Sequence, residues 1–323
     1  MIFKKKKTLL NGTACYQFDP KMGFWGIPNL KINLEYGDVI HDADGNRNFK
    51  LVSEPVEKSV LCYGGSHTWG GGVEQDHRYT DLLEAKLGKA VINIGHCSLG
   101  LDQICLAILN RSAKYNPGII VVEQYPWAVH RILNNYVNGY VRPHFYLDTN
   151  KNLKLKTVPF LARYKLFRRL IGAFYAFRKE FREFGLGLNI KDEYNPLMDP
   201  IFFYWKTRHY DYMYELTEKI LLAMSDYCRK NKIKLIFALG AIQQQFGVSS
   251  KSDLIDFELP KKRLIELLEG QSIDYIDISP FLLKDHSESD PVIFPDGHIN
   301  VKGHRVFAEV IHKALKEKGW IKS

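Results

Sequence analysis

The feature that most constrains the fold is an alternation of strand-like and helix-like stretches. Five short, β-rich apolar runs recur: Ser59-Val60-Leu61-Cys62-Tyr63, Ala90-Val91-Ile92-Asn93-Ile94, Gly118-Ile119-Ile120-Val121-Val122, Lys234-Leu235-Ile236-Phe237-Ala238 and Ile273-Asp274-Tyr275-Ile276-Asp277-Ile278. Most are followed by helical patterning, over Tyr79 to Leu87, Asp102 to Tyr115, Tyr210 to Asn231, Pro260 to Glu269 and Gly303 to Lys316. A strand that is apolar throughout needs cover on both faces, and helices in right-handed crossovers between parallel strands supply it. The expected core is a three-layer α/β/α sandwich around a parallel sheet of about five strands.

Residues 1–55 have mixed strand and turn character, with Gly23-Phe24-Trp25-Gly26-Ile27-Pro28-Asn29 and the turn Asp44-Gly45-Asn46-Arg47; they are expected to form a small appended layer on a main domain at 56–323. The rhythm breaks at about 128–212, between the third and fourth runs, which is too long for a simple connection and reads as a helical insertion. Inside it, Phe160, Tyr164, Phe167, Ile171, Phe174, Phe181 and Phe184 recur at helical spacings, with Arg163, Lys165, Arg168, Arg169, Arg178, Lys179 and Arg182 on other faces. Such a basic amphipathic helix at about 160–184 either lies on the core with its cations in water, touches a membrane surface, or closes over a site.

Composition narrows the rest. At 323 residues and 46% hydrophobic, the chain is long enough for one large core plus an insertion. A formal charge of +9 favours anionic surfaces such as acidic glycans, phospholipid head groups or nucleic acid; nucleic acid rests on charge alone and ranks last. Lys4 to Lys7 are not followed by the apolar run of a secretion signal, and no stretch approaches the roughly 18 to 20 apolar residues of a membrane span. The five cysteines are odd in number and lack metal-ligand spacing, so reduced thiols in a cytoplasmic setting are expected, with peripheral membrane contact left open. No phosphate loop or dinucleotide fingerprint appears, and neither a metal nor a cofactor is expected.

Ligands in such folds bind at the carboxyl ends of the strands, and three of these ends carry chemistry. After the first run, Gly64-Gly65-Ser66-His67-Thr68-Trp69-Gly70 places a serine on a small-residue turn where backbone N–H groups can face an oxyanion. After the second, Asn93-Ile94-Gly95-His96-Cys97-Ser98-Leu99-Gly100-Leu101-Asp102 is either a loop of oxyanion donors around Ser98 and Gly100 or a plain turn with Asp102 as a helix cap. Near the C-terminus, Phe294-Pro295-Asp296-Gly297-His298-Ile299-Asn300 sets an acid two residues before a histidine, so that the carboxylate can fix the imidazole tautomer while the other ring nitrogen reaches a serine. His67 directly follows Ser66, so its ring is expected to point elsewhere, and His96 and His304 read more easily as loop or packing residues.

The order Gly-Gly-Ser, Asn-x-Gly-x-x-Ser-x-Gly and Asp-Gly-His-x-Asn-x-x-Gly-His resembles the SGNH (GDSL-type) hydrolases, a flavodoxin-like fold. The resemblance spans nearly the whole chain, from Phe18-Asp19-Pro20-Lys21-Met22-Gly23-Phe24-Trp25 to the last helix, and includes Gly72-Val73-Glu74-Gln75-Asp76 with Tyr79. It implies Ser66 as nucleophile, His298 as base, Asp296 as orienting acid, and the N–H groups of Ser66 and Ser98 as oxyanion donors. Gly65 replaces the family's aspartate, Ser98 replaces a glycine, and Trp127 falls about where an asparagine normally donates to the oxyanion. Either the Trp127 indole or the Gln124 amide takes that donor's place, or Trp127 closes the pocket by packing alone.

The implied activity is that of a serine esterase acting on O-acyl esters, with acetyl groups on a carbohydrate or glycolipid as the expected substrate. Two alternatives remain: an O-acyltransferase that uses the same triad, and a catalytically weak glycan-binding protein that keeps only the fold.

Overall fold

The computed structural model describes residues 14–48, 58–137, 139–174, 208–241, 246 and 258–321. Two hairpins come first, β1 (Tyr16–Asp19) with β2 (Gly23–Gly26) and β3 (Lys31–Leu34) with β4 (Gly37–Ile40). The central sheet is then built from β5 (Ser59–Gly64), β6 (Val91–Gly95), β7 (Pro117–Gln124), β12 (Lys234–Leu239) and β13 (Asp274–Asp277). Its order is β13-β12-β7-β5-β6 and every pairing is parallel, so the five apolar runs all become strands of one sheet.

Period-2 alternation along these strands feeds two separate cores. Leu61, Tyr63, Ile92, Ile94, Ile120, Val122, Phe237 and Leu239 point into one. Val60, Cys62, Val91, Ile119, Val121, Ile236 and Ala238 point into the other. The first is covered by α3 (Leu101–Arg111), α4 (Arg208–Lys230) and α5 (Leu259–Gly270), through residues such as Ile104, Ile220 and Leu264. The second is covered by α2 (Tyr79–Leu87) and α7 (Val301–Glu317), through Leu83, Phe307 and Ile311. Each buried aliphatic or aromatic side chain contributes about 1.5–3 kcal/mol, so the two layers of helices are held by many small gains on both faces. The molecule is a three-layer α/β/α sandwich.

Met22, Phe24, Trp25 and Val39 of the N-terminal hairpins belong to the same apolar cluster as the sheet residues Leu61 and Ile120. The segment between β7 and β12 differs from the helical reading. Its described part starts with a 3-10 helix (Pro126–Leu133) and continues as two hairpins, β8 (Tyr136–Val137) with β9 (Tyr140–Val141) and β10 (His144–Leu147) with β11 (Leu153–Lys156). A second 3-10 turn covers Phe160–Arg163, and α-helical residues run over 165–174. The helix therefore starts after Tyr164, which has extended angles, and the rest of the expected 160–184 span lies outside the described residues. Lys154 and Lys156 alternate with Leu153 and Leu155, a period of two that aromatic spacing farther along the segment masks in the sequence.

Candidate active site

Ser66 is the first residue of α1 (Ser66–Trp69), the short helix that follows β5 directly. Gly65 N–H donates to Glu123 Oε2 at 3.2 Å, and Thr68 Oγ1 donates to the same oxygen at 3.2 Å. The Glu123 carboxyl at the end of β7 thereby clasps the Ser66 turn from the neighbouring strand.

His298 comes from a tight hairpin just before α7. Phe294 N–H donates to His298 O at 2.7 Å, and Gly297 stands between Asp296 and His298 at φ 87°, a left-handed angle that favours glycine. The bend lets Asp296 serve its neighbour twice. Oδ1 accepts the His298 backbone N–H at 3.1 Å, and Oδ2 lies 3.1 Å from Nδ1. Because a carboxylate only accepts, Nδ1 carries the ring proton and Nε2 presents its lone pair. That nitrogen lies 2.9 Å from Ser66 Oγ, across 232 residues of sequence. Asn300, two residues beyond His298, then caps α7, its Oδ1 accepting Gly303 N–H at 3.0 Å.

The pocket over Ser66 is lined by Ser98, Leu99, Ile104, Gln124, Tyr125, Ala128, Arg131, Asp296 and His298, among others. Ser98 has φ 66°, so the loop after β6 makes the left-handed turn at the position where the resembled family has glycine. Gln124 is buried in the wall, but its Nε2 donates to Tyr125 O at 2.8 Å. Gly100 stands apart from the pocket lining as the residue before α3; a Cβ there would lie 2.5 Å from Asp102 Oδ1 and 2.6 Å from Arg142 Nη2. It makes room for their buried ion pair at 2.7 Å, and Asp102 serves that pair rather than capping the helix. The Trp127 side chain lies outside the described residues, its backbone falling in the Pro126–Leu133 3-10 helix.

The site has charged residues whose roles are not apparent from the motifs. Burial raises the Glu123 carboxyl to about 7, against the hydrogen bonds from Gly65 and Thr68 and the charge of Arg131. Burial also lowers His67 to about 3, with His298 and Arg131 adding to the effect. Its ring sits edge-on to Tyr125 and 3.6 Å from Glu123, so it is a neutral wall rather than a second base. His96 packs on Trp25 at 3.8 Å between ring centroids, and His304 Nδ1 accepts Tyr79 N–H at 3.2 Å; both are structural.

Arg47, from the N-terminal turn, is fully buried. It donates to Trp69 O at 3.1 Å, Gly70 O at 2.6 Å and Val73 O at 2.8 Å. The segment it holds includes Gly71, where a Cβ would lie 3.3 Å from His298 Cδ2, so Arg47 braces the backbone behind both Ser66 and His298. Half-buried Arg131 donates through Nη1 to Leu99 O at 3.2 Å and faces the Gly65 turn. A charged residue at the end of an apolar strand run was the available sequence signal for Glu123. For Arg47 and Arg131 there was none.

No family model matches the sequence, and no curated protein matches it. Among solved structures the chain is similar to a GDSL-like lipase from Bacteroides thetaiotaomicron, at 13% identity over 83% of this chain and 93% of that one with a TM-score of 0.44. It is also similar to a member of the lipolytic protein G-D-S-L family from Veillonella parvula (13%, 80% and 99%, TM-score 0.43) and to a lipase/acylhydrolase from Enterococcus faecalis (12%, 82% and 98%, TM-score 0.44).

Proposed function

We propose that this chain is a serine hydrolase of SGNH type that cleaves short O-acyl esters, acetyl esters of carbohydrates first among them. The observation that carries the reading is the contact of Ser66 Oγ with His298 Nε2 at 2.9 Å, with Asp296 on the opposite ring nitrogen. His298 takes the Ser66 proton as Oγ attacks the ester carbonyl carbon, and the N–H groups of Ser66 and Ser98 receive the negative charge on the carbonyl oxygen. The imidazolium then protonates the departing alkoxide. Water, deprotonated by His298, attacks the acyl-enzyme and frees Ser66. Leu99, Ile104 and Ala128 in the pocket lining suit a short acyl chain, and Tyr125 offers an aromatic face to the alcohol.

Chromogenic acetyl and butyryl esters, with and without added glycans, test this. Release of free acid that Ser66→Ala abolishes supports hydrolysis, whereas acyl groups recovered on the glycan instead of in water make the protein an acyltransferase. Turnover that survives in Ser66→Ala, or none in either protein, rejects the reading.

The surface near 160–174 supports a membrane-peripheral location as part of this proposal. Phe160, Leu166, Leu170 and Phe174 are 56–69% exposed, and Lys165 and Arg169 lie among them. Apolar side chains and cations together suit an anionic lipid surface. Among the described residues, no helix is long and apolar enough to cross a membrane.

A further inference from the structure

We propose that Arg131 forms an anion-binding subsite beside Ser66, so that the preferred ester carries a carboxylate, phosphate or sulfate group close to its scissile bond. The inference rests on the esterase reading above and adds a substrate class to it.

Three observations carry it. First, Arg131 lines the same pocket as Ser66 and His298, and its Nη1 lies 3.6 Å from the place a Gly65 Cβ would occupy. The missing side chain at 65 leaves the turn beside the nucleophile open to the guanidinium. A carboxylate in that space would pair with Arg131 and occupy it; glycine leaves it for a ligand.

Second, the charge is poorly matched by the protein. A guanidinium has five donors, and the acceptor of Arg131 among the described residues is the neutral carbonyl of Leu99. No described carboxylate lies within ion-pair distance of 4.0 Å. Glu123 is the acid whose field reaches it, and burial favours the protonated form of that acid. Arg142 behind it is no help, since it is a second cation and already paired with Asp102 at 2.7 Å. Holding a half-buried cation without an anionic partner costs free energy that an incoming anion returns.

Third, the cation is held in place rather than swinging in solvent. Arg142 Nη1 donates to Arg131 O at 3.1 Å, and Arg131 Nη1 donates to Leu99 O. A positioned planar fork suits a carboxylate, phosphate or sulfate, with two parallel hydrogen bonds that lysine does not reproduce.

The test compares matched ester pairs on wild type, Arg131→Gln and Arg131→Lys. One pair sets 4-nitrophenyl hemisuccinate against 4-nitrophenyl butyrate and carries the charge in the acyl group; the other sets 4-carboxyphenyl acetate against phenyl acetate and carries it in the alcohol. We expect wild type to prefer the anionic member of at least one pair in kcat/KM. That preference should fall tenfold or more in Arg131→Gln, with partial recovery in Arg131→Lys, and the responding pair tells on which side of the ester the anion sits. A wild type without the preference, or an Arg131→Gln that loses both members of a pair by the same factor, overturns the proposal. Calorimetric titration of Ser66→Ala with hemisuccinate, with and without Arg131→Gln, reads the subsite without turnover. Binding to Ser66→Ala that needs Arg131, alongside a wild type that hydrolyses none of the esters, would reject the catalytic reading alone, while binding indifferent to Arg131 rejects the subsite.

Discussion

Asp296 reaches His298 from the same hairpin, but its side chain is 54% exposed whereas that of His298 is 16% exposed. Water therefore competes for the orienting carboxylate. Asp296→Asn is expected to lower kcat by about 10- to 100-fold, less than the roughly 10^4-fold loss for a buried orienting aspartate, and His298→Ala by about 10^3-fold or more. Steady-state rates on one acetyl ester check both. Glu123 is a different case, because its charge is penalised by burial. With the folded-state carboxyl at about 7 and an ordinary value of 4.5 when unfolded, the folded protein binds more protons between those values. Its contribution, read as the stability of wild type minus that of Glu123→Gln, should therefore fall by up to roughly 3 kcal/mol as pH rises through that window, over a background shared by both proteins in which the buried His41, His67, His96 and His304, all held below 6.5, add stability as pH rises toward 6.5. Thermal unfolding of the two proteins at pH 5, 6, 7 and 8 measures the difference.

At the scale of elements, the site depends on three strand ends, the 294–298 hairpin that carries Asp296 and His298, and one N-terminal turn. β5 delivers Ser66, β7 delivers Glu123, and the loop after β6 delivers Ser98, all on the carboxyl edge of one parallel sheet. Arg47 is the tie from outside the sheet. Arg47→Met leaves three carbonyl oxygens at positions 69, 70 and 73 without their donor, so a loss of about 3 kcal/mol in unfolding free energy is expected, together with a fall in kcat that Ile120→Ala would not match for equal destabilisation. Ile120, fully buried in β7 away from the site, should itself cost about 2–5 kcal/mol when cut to alanine. Denaturant titration beside kinetics separates the two effects.

The elements differ in how openly the sequence announces them. Strands β5, β6, β7 and β12 are buried on both faces, the edge strand β13 is half-buried with aspartates at both ends, and α2 spans Tyr79–Leu87 as its spacing predicts. In the hairpin β3–β4, β3 alternates exposed and half-buried residues over four positions and β4 buries Val39 alone, runs too short to stand out. Ser66, Asp296 and His298 could be paired from sequence because glycines mark both turns and an acid sits beside the base. Arg47 and Arg131 could not, since the meaning of a lone arginine depends on which backbone folds against it.

Across the whole molecule, charge and exposed apolar surface meet at 160–174. If that surface rests on lipid, the protein should sediment with vesicles of phosphatidylserine and phosphatidylcholine, less so as salt rises, and Leu166→Glu with Leu170→Glu should release it without altering hydrolysis of a soluble ester. Binding unchanged by the double variant would move the contact elsewhere.

The account as a whole stands on Ser66 being the nucleophile. The direct measurement is labelling with a fluorophosphonate followed by peptide mass spectrometry. The expected result is one covalent adduct on Ser66, absent in Ser66→Ala and strongly slowed in His298→Ala. A protein that stays unlabelled, or an adduct mapped to another residue, would contradict it.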